Sequence, residues 1–370
     1  MVTLREKFRG CIAASWIGSA MGAAVEGWSP ERIKETYGFL DRLLPYRHYA
    51  DYTDWERLPG TTEDGIERQR LIATAIIEKQ ERISAHDLAE TWLRDLDPER
   101  MRYKQEPFDR SLLEMVRAAV PPAELGNMWL WPNIISMARA SHPIGLLNAG
   151  DPVGAADDTY EVGKVYAKET SFTLRWAALY NAAIAEACKP NATVESVLET
   201  AKQSANYRKK SGDLFAIYDF VAHEIDHALG LAEKHRDPMA LRDEFYQHYT
   251  GGNYLTYGMS QANEIVAKGL AIFAFTKGSP KEAILLAVNF GRDTDCLAAI
   301  AGGLSGALSG TEGLPQEWID QVNEATRKDP YTNSNRTIEE TAEGLFAAFL
   351  ARQKRLEGYL ALMGDSAYLA

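Results

Sequence analysis

Apolar residues recur at intervals of three and four positions along most of the chain, which places them on one face of an α-helix. Alternating apolar and polar positions, the pattern of half-buried strands, are essentially absent. The pattern therefore predicts an all-α fold, with helical runs at about 62–81, 170–188, 212–235, 258–277, 293–309 and 336–356.

Helix starts are marked by a capping side chain followed by proline, whose missing N–H is not needed in the first turn. This pair occurs at Ser29-Pro30, Asp151-Pro152 and Ser279-Pro280. Ser84 and Thr193 also precede amphipathic runs and are predicted caps.

Two long stretches, 38–61 and 120–145, have no helical pattern but are rich in aromatic residues. Loops of this length in a helical protein are usually functional or disordered, and the aromatic content favours ordered loops that line a substrate site. No repeat or linker interrupts the chain, so residues 1–370 are expected to form a single domain.

The charge balance is acidic, with 40 basic and 52 acidic residues and a formal net charge of -12. No basic stripe is present, so neither nucleic acid nor an anionic membrane is an expected partner. Cys11, Cys188 and Cys296 lack CxxC spacing, which argues against disulfides or a zinc ribbon and favours a reducing cytosol. The Gly/Ala-rich run 10–25 resembles a secretory signal but is interpreted as a closely packed helix, and the predicted location is cytoplasmic.

Carboxylates cluster at three helix ends: Glu26, the pair Glu63 and Asp64, and the pair Asp293 and Asp295. Their oxygens suit hard cations such as Mg²⁺, Mn²⁺ or Ca²⁺, so convergence of these ends would create a metal site. Taken singly, each pair is also explained by helix capping, including a Thr61-to-Asp64 capping box.

Four ordered segments resemble the ADP-ribosylglycohydrolase family: "RGCIAASWIGSAMGAAVEGWSPERI", "GTTEDG", "PIGLLNAGDPVGAA" and "AILLAVNFGRDTDCLAAIAGGLSGALSG". The resemblance implies a single compact domain of orthogonal helices. It also implies a centre of two metal ions, usually magnesium, that cleaves a glycosidic bond at the anomeric carbon of a ribose.

The resemblance assigns roles to individual residues. The family's metal ligands fall on Thr62, Glu63, Asp64, Asp293, Asp295 and Cys296, and its catalytic residues on Glu26, Asp64 and Asp295. Glu26 is the expected proton donor and acceptor. One or two Mg²⁺ ions are the expected cofactor, with Mn²⁺ as an alternative.

Several residues depart from the family pattern. Glu63 stands where aspartate is usual, Cys296 replaces a hydroxyl ligand, and Arg292 replaces a glycine. Sulfur is a poor Mg²⁺ ligand, so one metal position is expected to be weak or to select a softer ion.

The segment before "PIGLL" differs most. Relatives resemble one another there through a small-residue loop that approaches a diphosphate, whereas this chain has Trp129, Trp131 and Pro132. We therefore predict a metal-dependent glycosidase whose substrate, a small-molecule glycoside, a nucleoside or an ADP-ribosyl compound, has diverged from ADP-ribosylated protein. The candidate substrate contacts are Arg292, His142, Trp129 and Asn289, with Arg139 as a further polar candidate in the loop.

Two alternatives remain at this point. His223-Glu224-x-x-His227 has the spacing of a zinc peptidase helix, although Glu233 stands where a third histidine would be needed. The family also includes lens crystallins without activity, so a crystallin-like structural role is the second alternative.

Overall fold

The computed structural model describes residues 2–48, 55–105, 107–128, 134–208, 220–250 and 260–364. Within these ranges the chain is helical, with isolated bridges at Tyr46–Arg57 and Ile134–Gln261 and no strand. The described helices are α1 (Leu4–Gly22), α2 (Pro30–Tyr37), α3 (Asp64–Lys79), α4 (Ala85–Asp95), α5 (Pro98–Lys104), α6 (Pro107–Arg117), α7 (Ser136–Ala140), α8 (His142–Leu147), α9 (Pro152–Gly163), α10 (Phe172–Ala187), α11 (Val194–Ser204), α12 (Phe220–Lys234), α13 (Pro238–Thr250), α14 (Ala262–Phe275), α15 (Pro280–Val288), α16 (Thr294–Ser309), α17 (Gln316–Lys328) and α18 (Ile338–Met363).

The all-α prediction is confirmed, and the helices share one hydrophobic core that runs from Phe8 to Phe349. Ser29 and Asp151 accept the expected backbone N–H bonds, and Ser84 and Thr193 form capping boxes. Ser279 makes no side-chain cap. The Thr61-to-Asp64 capping box is wrong, because the cap of α3 is Glu63 and its side chain accepts no capping bond.

Helices α1 and α16 form the centre of the fold and pack backbone to backbone. A Cβ added at Gly10, Gly18 or Gly22 of α1 would collide with main-chain atoms of α16 or of Gly310 just after it. A Cβ added at Gly306 would likewise collide with α1. Because these glycines of α1 carry no side chain, the end of α1 lies directly against the backbone at the start of α16.

The run that resembles a secretory signal forms the later part of α1 and the 3₁₀ turn after it, and most of it is buried. Among the described helices, none combines the length and apolar character needed to cross a membrane.

Candidate metal centre and active site

The three acidic helix ends meet in the structure. Glu26 follows a short 3₁₀ turn after α1, Glu63 and Asp64 begin α3, and Asp293 and Asp295 begin α16. Coulombic effects on the pKa of Glu26 come from Asp293, Glu63 and Asp64, so the acids of all three ends are close neighbours.

Backbone bonds fix the segment that carries Glu26. The Thr294 hydroxyl donates to the Gly22 carbonyl at 2.8 Å. The Gly27 N–H donates to the Arg292 carbonyl at 2.7 Å, and the Arg292 N–H donates to the Trp28 carbonyl at 2.8 Å. Glu26 is therefore positioned by hydrogen bonds to Thr294 and to the turn that precedes α16.

The start of α16 presents buried carboxylate oxygens that accept no hydrogen bond from the described residues. Asp293 is 1% exposed and its Oδ1 accepts the Cys296 N–H at 3.3 Å, which caps the helix. Its Oδ2, and Oδ1 of Asp295, are buried and have no hydrogen-bond partner among the described residues. Asp293, Asp295 and Cys296 each place a possible ligand atom within 4.8 Å of the others. Buried carboxylate oxygens without partners suit a hard cation, so the residues present fit a divalent ion at this position.

The pKa of Glu26 lies well above its ordinary value because of burial, and then because of Asp293, Glu63 and Asp64. Burial, followed by the charges of Glu26 and Asp293, likewise raises the pKa of Asp295. The His48 Nε2 lies 3.3 Å from Oε2 of Glu26. The site therefore holds more negative charge than its own residues balance, which favours a proton or a cation.

The two acids of α3 have a different environment. Glu63 Oε1 accepts the Tyr46 hydroxyl at 2.5 Å and lies 3.3 Å from Arg57 Nε. Asp64 Oδ2 lies 2.9 Å from Arg68 Nη1 and 2.5 Å from Arg139 Nη2. Burial opposes ionisation of Asp64, but Arg139 and Arg68 outweigh it and lower its pKa below the ordinary value.

Cys296 completes the cluster from inside α16. Its Sγ accepts an N–H from Arg139 Nη1 at 3.0 Å. Burial raises the pKa of the Cys296 thiol well above its ordinary value, so the sulfur is a neutral thiol at physiological pH.

Thr62 lies just before α3 and is buried. Its carbonyl accepts from Lys104 Nζ, which also lies 2.9 Å from Asp329. The Thr62 backbone is thus anchored to α5, which carries Lys104.

Two candidate substrate contacts have structural partners. The Arg292 guanidinium forms a two-point pair with Glu264, at 2.7 and 3.0 Å, and Glu264 also contacts Lys268. Asn289 bonds both the N–H and the carbonyl of Leu40, each at 2.9 Å. Arg292 therefore joins the turn before α16 to α14, and Asn289 joins the end of α15 to the loop after α2.

His142 lies in the core, with 0% exposure. Its Nδ1 is 3.0 Å from Gln69 Nε2, and its Nε2 is 3.2 Å from the Ala299 carbonyl and 2.8 Å from the Tyr180 hydroxyl. Burial lowers the pKa of His142 to about 4. This placement joins α3, α10 and α16 and leaves no imidazole surface for a substrate. Trp129 lies outside the described residues, as do Trp131 and Pro132.

The HExxH helix does not form a metal site with the described residues around it. Glu224 Oε1 accepts bonds from the Tyr249 hydroxyl at 2.6 Å and from Asn263 at 2.8 Å. In the part of the chain that the structure describes, the ligand cluster is at the start of α16, not at His223 and His227. Glu224 thus ties α12 to its neighbours.

The site also includes Tyr46, His48, Arg57 and Arg68, which no motif in the sequence indicated. The first three lie in the aromatic stretch 38–61, whose composition had already indicated a loop that lines a substrate site. Arg68 lies one turn after Asp64, a spacing that places the two side chains on one helix face.

These observations define a class of protein, an all-α fold with a buried carboxylate centre where three helix ends meet. The chain belongs to the ADP-ribosylglycohydrolase family, whose model matches residues 1–355.

Relatives of known sequence extend the match. An uncharacterized protein of Archaeoglobus fulgidus is 25% identical over 324 residues, which covers 87% of this chain and 93% of that protein. The uncharacterized protein YegU of Escherichia coli is 22% identical over 339 residues, 86% of this chain and 93% of YegU. The ADP-ribosylarginine hydrolase Tri1 of Pseudomonas putida is 54% identical over 41 residues, 11% of each chain.

Among solved structures, one described as an ADP-ribosylglycohydrolase-related protein complex has the same fold. Its chain superposes with a TM-score of 0.63 at 17% identity, and the match covers 95% of this chain and 99% of that one.

Proposed function

We propose that this protein is a metal-dependent glycoside hydrolase that cleaves an N- or O-glycosidic bond at a ribosyl or ADP-ribosyl-like sugar. The observation that carries the proposal is a pair of buried oxygens on Asp293 and Asp295, next to Glu26, that have no hydrogen-bond partner among the residues the structure describes. Membership of a hydrolytic family supports the reaction class.

The cation would be Mg²⁺ or Mn²⁺ held by Asp293 and Asp295. The donor set consists of hard oxygens, which such ions prefer. When bound, the ion would orient sugar hydroxyls and polarise the attacking water.

Glu26 supplies the proton chemistry. Burial and the neighbouring carboxylates raise the pKa of Glu26, which is the direction that suits a general acid. The bond between the anomeric carbon and the leaving nitrogen or oxygen breaks, and a water oxygen takes its place. Glu26 gives its proton to the leaving group or takes one from the water.

The substrate is proposed to differ from ADP-ribosylated protein. Support comes from Trp129, Trp131 and Pro132, because bulky side chains at these positions do not provide the bare backbone that approaches a diphosphate. Aromatic faces stack on a sugar or a base instead. A small-molecule glycoside or nucleoside is the substrate class that this composition favours.

Calorimetric titration of Mg²⁺, Mn²⁺ and Zn²⁺ into metal-stripped protein tests the metal dependence. The parent is compared with Asp295→Asn and with His223→Ala as the matched control. Mg²⁺ or Mn²⁺ binding that is lost only in Asp295→Asn supports the proposal. Zn²⁺ binding lost only in His223→Ala would favour the peptidase, and absence of any binding would favour a structural relative.

A substrate panel then tests the sugar and the leaving group. It includes ADP-ribosyl-arginine, ADP-ribosyl-serine, nucleosides and aryl glycosides, each assayed with the parent and with Glu26→Gln. Turnover of nucleosides or aryl glycosides that Glu26→Gln abolishes is expected. Ordinary turnover of the ADP-ribosyl substrates would refute the changed substrate but leave the reaction class intact.

A further inference from the structure

The Arg139 guanidinium lies inside the carboxylate centre, between α3 and α16. Nη2 donates to Asp64 Oδ2 at 2.5 Å and Nη1 donates to Cys296 Sγ at 3.0 Å. Both partners stand at positions where the family resemblance implies metal ligands. The guanidinium thus bridges two side chains that a cation would otherwise join.

The fold contains a slot for this arginine. A Cβ at Gly65, in the first turn of α3, would lie only 2.7 Å from Cδ of Arg139 and 3.2 Å from its Cγ. Gly65 is helical, so its lack of a side chain serves to admit the Arg139 side chain. The Gln69 side chain also contacts the Arg139 carbonyl at 3.4 Å. The backbone and the neighbouring helix together place the guanidinium.

The charges divide the centre into two halves. On the α3 side, Glu63 faces Arg57, and Asp64 faces both Arg68 and Arg139. On the α16 side, Asp293 and Asp295 keep buried oxygens without hydrogen-bond partners among the residues that the structure describes. Among the described residues, the acids of the α3 half therefore have direct ion pairs with arginines, whereas Asp293 and Asp295 have none.

The ligand chemistry agrees with this division. A thiol is a poor ligand for Mg²⁺ but accepts an N–H bond from a guanidinium. A planar guanidinium can also bind two acceptors at once, in fixed geometry. Cys296 therefore suits Arg139 better than a second Mg²⁺ ion.

We propose that this centre binds one divalent cation, at Asp293 and Asp295, and that the Arg139 guanidinium occupies the place of the second cation between Asp64 and Cys296. The inference rests on the proposed function for the existence of the first cation. It extends that function by assigning a fixed organic charge to the half of the site where the family uses a metal.

Metal stoichiometry tests the inference without any substrate. Metal-stripped protein is saturated with Mn²⁺, and bound ions per chain are counted by equilibrium dialysis with elemental analysis. Electron paramagnetic resonance distinguishes an isolated Mn²⁺ ion from an exchange-coupled pair. We expect one isolated ion in the parent and in Cys296→Thr.

The decisive variant combines Arg139→Met with Cys296→Thr, which removes the guanidinium and restores a hydroxyl ligand. We expect two coupled ions per chain. The matched control combines Arg292→Met with Cys296→Thr, because it removes an equally charged side chain that contacts Glu264 instead of Asp64. The control is expected to retain one ion.

Two ions in the parent would overturn the inference and leave the proposed function intact, and this count needs no variant to fold. A single ion in the Arg139→Met, Cys296→Thr protein with an unchanged melting temperature would also overturn it. No bound ion in the parent would overturn both the inference and the metal dependence of the proposed function.

Discussion

The contact between Gly22 and the start of α16 offers a test of how the catalytic acids are positioned. Gly22 has right-handed helical angles, φ −67° and ψ −35°, which alanine adopts without strain. An alanine Cβ at this position would lie 2.5 Å from the Asp295 nitrogen and from the Thr294 carbonyl atoms. Gly22→Ala is therefore a purely steric perturbation of the joint between the two helices.

The magnitude follows from the distances. Ordinary contact begins at 3.4 Å, so α1 and α16 must separate by about 0.9 Å at this point. Overpacking of a rigid interior costs about 1 to 3 kcal/mol. Replacement of glycine by alanine in a helix returns about 1 kcal/mol. We expect a net destabilisation of roughly 0 to 2 kcal/mol, and a loss of up to about a hundredfold in turnover because Glu26 moves relative to Asp293.

Urea unfolding measures the effect on stability, and Mg²⁺ titration together with turnover of the panel substrate measures the effect on the site. Gly230→Ala on α12 is the control, since a Cβ there has no atom of the described residues within 4 Å. The control should be unchanged or slightly more stable, with parental Mg²⁺ affinity. If Gly22→Ala behaved like Gly230→Ala in these measurements, the claim that this backbone contact sets the site geometry would be refuted.

Three further predictions concern buried polar groups. Burial lowers the pKa of His142 from 6.5 to about 4, so the stability that the neutral imidazole contributes above pH 6.5 falls by about 3 kcal/mol as the pH drops to 4. His142→Gln should remove this pH-dependent loss from urea unfolding curves measured between those two pH values. An equal loss of stability at acid pH in the variant would contradict the assignment to His142. Because the pKa of Glu26 is raised, the stability that its protonated side chain contributes is present below about pH 4.5 and is lost as the pH rises. Glu26→Gln should therefore stabilise the metal-free protein at pH 8 but not at pH 4, as measured by urea unfolding midpoints in the presence of a chelator. Tyr46→Phe removes the hydroxyl bond to Glu63 and should lower the free energy of unfolding by about 1.5 to 3 kcal/mol, and an unchanged urea midpoint would show that the bond contributes nothing.

Much of the framework is visible in local sequence. Helical spacing indicated the all-α fold, and the small residues of α1 and α16 indicated their close packing. Capping signals work because they depend on residues only three positions apart. Asp293 shows the limit of such signals, because it caps α16 and also directs its second oxygen into the centre.

Long-range contacts could not be predicted in the same way. His142 was expected to contact substrate, but its partners Gln69, Tyr180 and Ala299 come from three separate helices. The guanidinium of Arg139 meets Asp64, 75 positions earlier in the chain, and no local pattern encodes that contact. Arg57 and Glu63 are close in the chain, but the loop between them has no periodic pattern, so periodicity does not predict their contact either.

Because glycine contacts hold α1 and α16 together, the relative position of these two helices does not depend on the acidic side chains at their ends. Main-chain atoms hold the two helices together, so replacement of one acid removes a chemical group without removing a support. Glu26→Gln should accordingly keep the shape of the site while it loses the proton. The variant should then bind its substrate without cleaving it. A molecule that the variant retains from a cell extract can be identified by its mass.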